Sequence, residues 1–250
     1  MKLFVCVNQV PDTETKVKIG QDGKSIDRSE VNLILNPYDE FAVEAALQLK
    51  DKNSAEVTYV SVGGDSTKEV LRKALAMGGD KGIHIKTEST GDSYSVASMI
   101  ASALKDAGAD MVLFGKQSID YDDAAVGTMV AEMLGVPSAS VVVKLNVDEN
   151  AKKVTCEREI EGGTETVELA MPCIISAQKG LNEPRYPSLK GIMAAKSKPV
   201  QEVAPGTVEP LTEVIEMRKP PAKQAGKILG TDKSAVPELI RLLHEEAKVI

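Results

Sequence analysis

Glu56-Val57-Thr58-Tyr59-Val60-Ser61-Val62-Gly63-Gly64-Asp65 decides the fold class. Val57, Tyr59, Val60 and Val62 form a short apolar run of strand-forming residues, and the two glycines close it. Ser66 or Thr67 then stands where a helix cap is expected, and a helix is predicted to about Met77, where Gly78-Gly79 stops it. Gly82–Ile85 reads as the next strand. A strand, a helix and a strand at this spacing make a β-α-β unit, whose two strands run parallel.

Working outward, the same rhythm recurs. Leu3–Val7 is a predicted strand, and Pro37 to Lys50 a helix with Phe41, Ala45, Ala46 and Leu49 on one face. Tyr94 to Ala107, ending at Gly108, reads as a helix, Asp110–Phe114 as a strand, Ala125–Leu134 as a helix and Ala139–Leu145 as a strand. The expected class is α/β, with a mostly parallel, Rossmann-like sheet and helices on both faces. Val154–Ile160 and Glu165–Leu169 instead alternate in period two across Glu161-Gly162-Gly163-Thr164, which predicts an inserted β-hairpin. Pro172–Ala177 reads as a strand, and Ser188 to Lys196 as a helix beyond a loop marked by Pro184 and Pro187.

Beyond residue 200 the texture changes. Pro205, Pro210, Pro220, Pro221 and Pro237 interrupt a stretch with few periodic apolar runs, and a final helix is predicted from about Lys233 to Lys248. Residues 1–200 are therefore expected to form the α/β domain, and residues 201–250 an extended C-terminal arm that lies on another surface.

Composition narrows the function classes. With 42% hydrophobic and 27% charged residues in 250, the chain has ordinary globular composition and material for one large core. A net charge of −7 and 3% aromatic residues, with no Trp, argue against nucleic-acid binding. No apolar stretch approaches the ~18 residues of a membrane span, so membrane insertion is not expected. Met1–Val7 is too short for a signal-peptide core, and Cys6, Cys156 and Cys173 show no metal spacing. A cytoplasmic location is the expectation.

Four segments are placed to carry function. The first is Gly115-Lys116-Gln117-Ser118-Ile119-Asp120-Tyr121-Asp122-Asp123-Ala124-Ala125-Val126-Gly127, which follows a strand and opens a helix. Loops at strand C-termini line the ligand crevice of an open α/β sheet, and a helix N-terminus there suits a phosphate. It lacks the GxxxxGK[ST] and GxGxxG patterns. A solvated loop whose aspartates cap the helix is the competing reading. Asp120, Asp122 and Asp123 lack the Gly and closing Glu of a calcium loop. The second is Asn36-Pro37-Tyr38-Asp39 at a helix start, where Asn36 suits the cap and Pro37 the first turn. The third is the Ser61–Gly64 turn, whose glycines permit close approach to a ligand.

The fourth is Lys179 to Lys198. It carries Lys179, Arg185, Lys190, Lys196 and Lys198 against one acid, Glu183, in an otherwise acidic chain. Such a patch fits an anionic partner, with Leu181 as an exposed apolar anchor at the loop tip. Residues for bond-making chemistry are poor. His84 and His244 stand beside no candidate nucleophile, and Ser118 has no Gly-x-Ser-x-Gly context.

Taken together, Asn36-Pro37, Gly115-Lys116-Gln117-Ser118-Ile119-Asp120, Glu157 to Gly163 and Leu181-Asn182-Glu183-Pro184-Arg185-Tyr186 closely resemble the beta (small) subunit of electron-transfer flavoprotein. Val10-Pro11-Asp12 and Ala74–Gly78 match as well, so the resemblance spans the chain in order. It implies an obligate heterodimer with an alpha subunit that carries most of the FAD site. It implies AMP buried in this subunit, bound by Cys6, Asn36, Pro37, Tyr38, Asp39, Val62 and Gly115 to Val126. The backbone of Asp123 to Val126 would face the phosphate, and Asn36 with Gln117 to Asp120 the ribose and adenine. The arm would embrace the alpha subunit. Leu181 to Tyr186, with Lys190, Lys196 and Lys198, would dock acyl-CoA or other flavin dehydrogenases, and electrons would pass on to a membrane quinone oxidoreductase.

There are departures from the family pattern. Ala124 and Ala125 stand where polar amides are common, Thr13 where some members have Tyr, and Val62 where some have Cys. A second branch bifurcates electrons with a second FAD in place of AMP, oxidising NADH, and this chain shares Val126-Gly127 with it. Asn36 to Glu44 and Tyr186 to Met193 look like the simple shuttle. A free-standing adenine-nucleotide-binding or sensing domain is the alternative of a different class.

Overall fold

The computed structural model describes residues 1–222 and 225–250. Lys223 and Gln224, inside the stretch expected to form the arm, lie outside the described residues. Met1–Ile215 form one compact unit and Glu216–Ile250 a second.

The first unit is built on a nine-stranded sheet. Its strands in chain order are β1 (Lys2–Cys6), β4 (Glu56–Gly63), β5 (Lys81–Lys86), β6 (Met111–Gly115), β7 (Ser138–Asp148), β8 (Lys153–Ile160), β9 (Gly163–Ala170), β10 (Cys173–Ala177) and β11 (Val200–Val203). The numbers β2 (Gln9–Pro11) and β3 (Leu33–Leu35) belong to a separate antiparallel ribbon. The order across the sheet is β11-β5-β4-β1-β6-β10-β7-β8-β9. Pairing is parallel from β11 to β7 and antiparallel from β7 to β9. The expected α/β class and its mostly parallel sheet are therefore present. The central strands are buried along nearly their whole length, as a sheet covered on both faces requires.

Five helices cover this sheet: α1 (Pro37–Asn53), α2 (Thr67–Met77), α3 (Ser93–Leu104), α4 (Val126–Leu134) and α5 (Leu189–Ala195). Leu3, Val5, Tyr59, Leu113 and Ile175 point to one face and pack with Ala42, Ala46 and Leu49 of α1 and Leu71 and Leu75 of α2. Phe4, Val60, Val112 and Ile174 point to the other and pack with Ala97, Ile100 and Leu104 of α3 and Val130 of α4. Alternate residues of one strand thus feed two cores.

Several elements differ from the sequence reading. The β8–β9 hairpin is tighter than the four-residue turn expected. Ile160 pairs with Gly163, so only Glu161 and Gly162 form the loop, with Gly162 at φ 81°. The β2–β3 ribbon and β11 were not expected. Each is short, and β11 at a sheet edge has exposed Gln201 and Glu202 between half-buried Val200 and Val203. Residue 200, the expected domain limit, falls at the start of β11. In the second unit, a 3₁₀ turn at Lys233–Ala235 leads into α6 (Val236–Glu245), shorter than expected. Val236, Leu239, Ile240 and Leu243 lie along one side of α6, and no residue of it is buried.

Candidate functional site

The order of strands places a crevice. From β1 the chain fills one side with β4 and β5, then crosses to the other with β6, so β1 and β6 flank the point where the order reverses. Ligands bind outside the strand C-termini at such a point. Asn36, the first turn of α1 and the loop after β6 all sit there.

Asn36 is fully buried and does not cap α1 with its side chain. The expected cap is therefore corrected. Its amide crosses to the loop instead, donating from Nδ2 to the Gln117 carbonyl at 3.0 Å and accepting from the Ile119 N–H at 3.3 Å. Asp39, also buried, takes the N–H of Asn8 after β1 at 2.7 Å and of Gly115 at the end of β6 at 3.1 Å. Burial pushes its carboxyl up to about 7, against the pull of these N–H groups. Gly115 is required at this point. A Cβ there would strike the Asp39 carboxylate and come within 2.6 Å of the Tyr38 carbonyl carbon. Lys116 lies over the Tyr38 ring, 5.1 Å from its centroid.

Asp120, Asp122 and Asp123 crowd three carboxylates into one loop, an electrostatic problem of its own. The structure gives each a local partner. Asp120 accepts from Ser118 and from the Tyr121 N–H, Asp122 accepts from Gln117 at 2.6 Å, and Asp123 accepts from Ser93 at the start of α3. The turn is completed by two non-glycine residues in the left-handed region, Asp122 at φ 54° and Ala124 at φ 49°. Ala125 precedes α4 and, lacking a polar side chain, leaves the first turn of α4 without a side-chain cap. Cys6 ends β1, Val62 stands one residue before the end of β4, and both belong to the buried core beneath this region. The cysteines are all free and buried. Burial pushes the thiols of Cys156 and Cys173 up to about 11 and 12, away from reactivity. His84 is fully buried, with Nε2 on the Gly63 carbonyl at 2.9 Å.

The segment from Leu181 to Lys198 is rearranged relative to expectation. Leu181 is half-buried against the main core, so it is not the exposed anchor. Leu189, at 83% exposure, and Tyr186, at 94%, are the exposed apolar groups, with Met193 one turn beyond Leu189. Asn182 donates to the Phe41 carbonyl at 2.9 Å, and Arg185 is held by Glu44 and Asp51 of α1. Glu183 is exposed and Pro184 half-buried. Lys198 is also occupied, giving its ammonium protons to the Leu75 and Gly78 carbonyls at the end of α2. Of the expected steering cations, Lys190 and Lys196 remain exposed. Gly191 lets α5 sit on α2, since a Cβ there would strike the Ala76 carbonyl oxygen.

Sequence reading missed Leu189, Ser93 and Glu44. Leu189 and Met193 are spaced i, i+4 in a short helix, a signal for one shared face, though not for which way it points. Glu44 is an acid inside the apolar run Phe41–Leu49, the pattern of a buried ion pair.

The comparisons bear on this geometry. Residues 24–207 match the model of the electron transfer flavoprotein domain. The chain belongs to the electron transfer flavoprotein family. It is 44% identical to the electron transfer flavoprotein subunit beta of Syntrophomonas wolfei, covering 100% of this chain and 98% of that one. It is 40% identical to the subunit beta of Bacillus subtilis over 100% of both chains. It is also 34% identical to the acryloyl-CoA reductase electron transfer subunit gamma of Anaerotignum propionicum, over 98% of this chain and 99% of that one. The resemblance read from Asn36-Pro37, Gly115–Asp120 and Leu181–Tyr186 is thereby confirmed at the level of the beta subunit. Among the described residues, no helix is long and apolar enough to cross a membrane, and no group of His, Cys, Asp and Glu is arranged to hold a metal ion.

Proposed function

We propose that this chain is the small subunit of a heterodimeric electron-transfer flavoprotein and works in the cytoplasm. It holds AMP in the β1–β6 crevice and presents a docking surface to flavin dehydrogenases. FAD, bound mainly by an alpha subunit, supplies the redox chemistry, and electrons leave for a quinone oxidoreductase. This chain's residues bind, wall and orient.

The observation that carries the reading is the cross-tie from Asn36 to residues 117–119. It closes the crevice with polar groups that make bonds to one another, and it leaves the backbone at the start of α4 uncapped. A nucleotide phosphate fits uncapped N–H groups at a helix start, and the local partners of Asp120, Asp122 and Asp123 remove the charge conflict. Lys116 and Tyr38 supply a cation and a ring face beside the same opening. Asp39 holds Asn8 and Gly115, the two strand ends, at a fixed separation. Cys6 and Val62 contribute through the ends of their strands, Pro37 through the start of α1, and Tyr121 and Val126 through the loop and helix they bracket.

Docking follows from the second region. Leu189, Tyr186 and Met193 offer exposed apolar surface beside Lys190 and Lys196. An apolar anchor with a basic rim favours rapid, salt-sensitive encounter with an acidic partner. Leu181, Asn182, Glu183, Pro184 and Arg185 form the base of this surface. Of the expected arm over residues 201–250, Glu216–Ile250 reaches toward the alpha subunit, a reading supported by the apolar side of α6, none of whose residues is buried.

Val126-Gly127, which this chain shares with the bifurcating branch, favours a second reading, in which the crevice holds a second FAD that oxidises NADH. The test is the small-molecule content of the protein purified with its alpha subunit, released by denaturation and identified by mass. One AMP with one FAD is expected. Two FAD without AMP would establish the second reading, and a stable lone chain turning over ATP would overturn both.

A further inference from the structure

The segment that bears Tyr186 and Leu189 is fastened to α1 by an ion pair between a half-exposed arginine and a buried glutamate. Glu44 lies on the inward face of α1, and its side chain is 5% exposed. Its Oε2 accepts from the Arg185 backbone N–H at 3.1 Å and from Arg185 Nε at 2.7 Å, and its Oε1 accepts from Arg185 Nη2 at 3.0 Å. Nη2 also donates to Asp51 at 2.9 Å. Asn182, three residues earlier, donates to the Phe41 carbonyl. Both ends of the four-residue stretch Asn182–Arg185 are thus tied to one helix.

Burying a carboxylate is costly, and an apolar residue at position 44 would fill the same face without that cost. What the ion pair adds is geometry. A guanidinium fork on a carboxylate admits one arrangement, whereas apolar packing admits several. The exposed groups follow within four residues of Arg185, so their position is set by this clamp. A docking surface held in its bound arrangement avoids an ordering cost at each encounter.

We infer that Glu44 is a positioning residue for partner docking: acting through Arg185, it holds the 181–188 segment so that Tyr186 and Leu189 stand preformed for the dehydrogenase. This inference rests on the docking reading above.

The test uses the purified heterodimer, with an acyl-CoA dehydrogenase and its acyl-CoA as electron donor and dithionite as a reductant that needs no docking. Glu44→Gln is expected to raise KM for the heterodimer about tenfold, equivalent to ~1.4 kcal/mol of docking energy, with kcat and the dithionite rate unchanged. Glu44→Asp should recover part of the loss. If Glu44→Gln does not fold, Arg185→Lys keeps the charge and loses the fork, with an expected rise in KM of about threefold, ~0.7 kcal/mol. Leu189→Ala is the control. Should it raise KM while the Glu44 and Arg185 variants leave KM unchanged, Glu44 is a structural filler and the inference fails. Should Leu189→Ala also leave KM unchanged, the docking reading fails and takes the inference with it. An equal loss of dithionite rate in Glu44→Gln would assign the residue to the fold alone.

Discussion

The loop after β6 and the loop after β10 leave adjacent parallel strands at the same edge of the sheet, yet they end differently. The first, from Lys116 to Ala125, is tied inward by Asn36, and its acidic side chains are satisfied by Gln117, Ser118 and Ser93. The second, from Gln178 to Ser188, is tied to α1 by Asn182 and Arg185, and hands its chain to α5 with Tyr186 and Leu189 outermost. One helix anchors both: the residues at the start of α1 tie the first loop, and its middle holds Asn182 and Arg185 of the second. The difference teaches that polar ties decide what each loop has left to offer. The first leaves the start of α4 without a side-chain cap, and the second leaves Tyr186 and Leu189 exposed.

This contrast can be broken at its tightest point. Gly115→Ala places a methyl group against Asp39 and the Tyr38 backbone, and α1 must shift. We expect a loss of ~3 kcal/mol, read by urea unfolding of the heterodimer, with release of the bound nucleotide. Asn36→Ala removes a buried amide and leaves the Gln117 carbonyl and the Ile119 N–H without their partner. A loss of ~2 kcal/mol is expected, again with nucleotide released. A variant with full nucleotide content would show that the crevice is not the binding site.

Asp39 gives a pH signature. Its folded value of about 7 lies above the ~3.9 of an unfolded aspartate. The folded state therefore holds the proton more tightly, and this contribution is complete below pH ~4 and lost as pH rises through 7. Its slope reaches at most ~1.4 kcal/mol per pH unit. Asp39→Asn removes it, so the difference in melting temperature between the variant and the parent should grow in the variant's favour from pH 5 to pH 8. A constant difference would refute the assignment.

The smallest effects sharpen the second region. Leu181→Ala removes half-buried core contact, with an expected loss of ~1 kcal/mol and little change in reduction by a dehydrogenase. Leu189→Ala should change stability by less than ~0.5 kcal/mol while slowing that reduction. The opposite pattern would restore Leu181 as the anchor.

Much of the fold was legible because its signals are local. Leu3–Val7, Glu56–Val62 and Asp110–Phe114 are apolar runs that only a doubly covered sheet can bury, and glycines mark their ends. The β2–β3 ribbon and β11 were not legible, since three or four residues carry no period and their pairing comes from distant chain. Residues 36–39 and 115–119, read together from the sequence, do meet at the strand C-termini, the side on which such a sheet leaves its loops. The role of Asn36 was misread as a cap, because a cap and a cross-tie use the same amide and differ only in what lies within reach.

By itself the sequence determined the α/β class, the order of the β-α units and the family, all properties of local pattern and motif. Tertiary structure alone decided which leucine of the Leu181–Leu189 stretch faces water, which cations are free, and that Glu44 holds Arg185. Exposure and pairing depend on residues more than a hundred positions apart, such as 44 and 185, and local pattern carries no record of that distance.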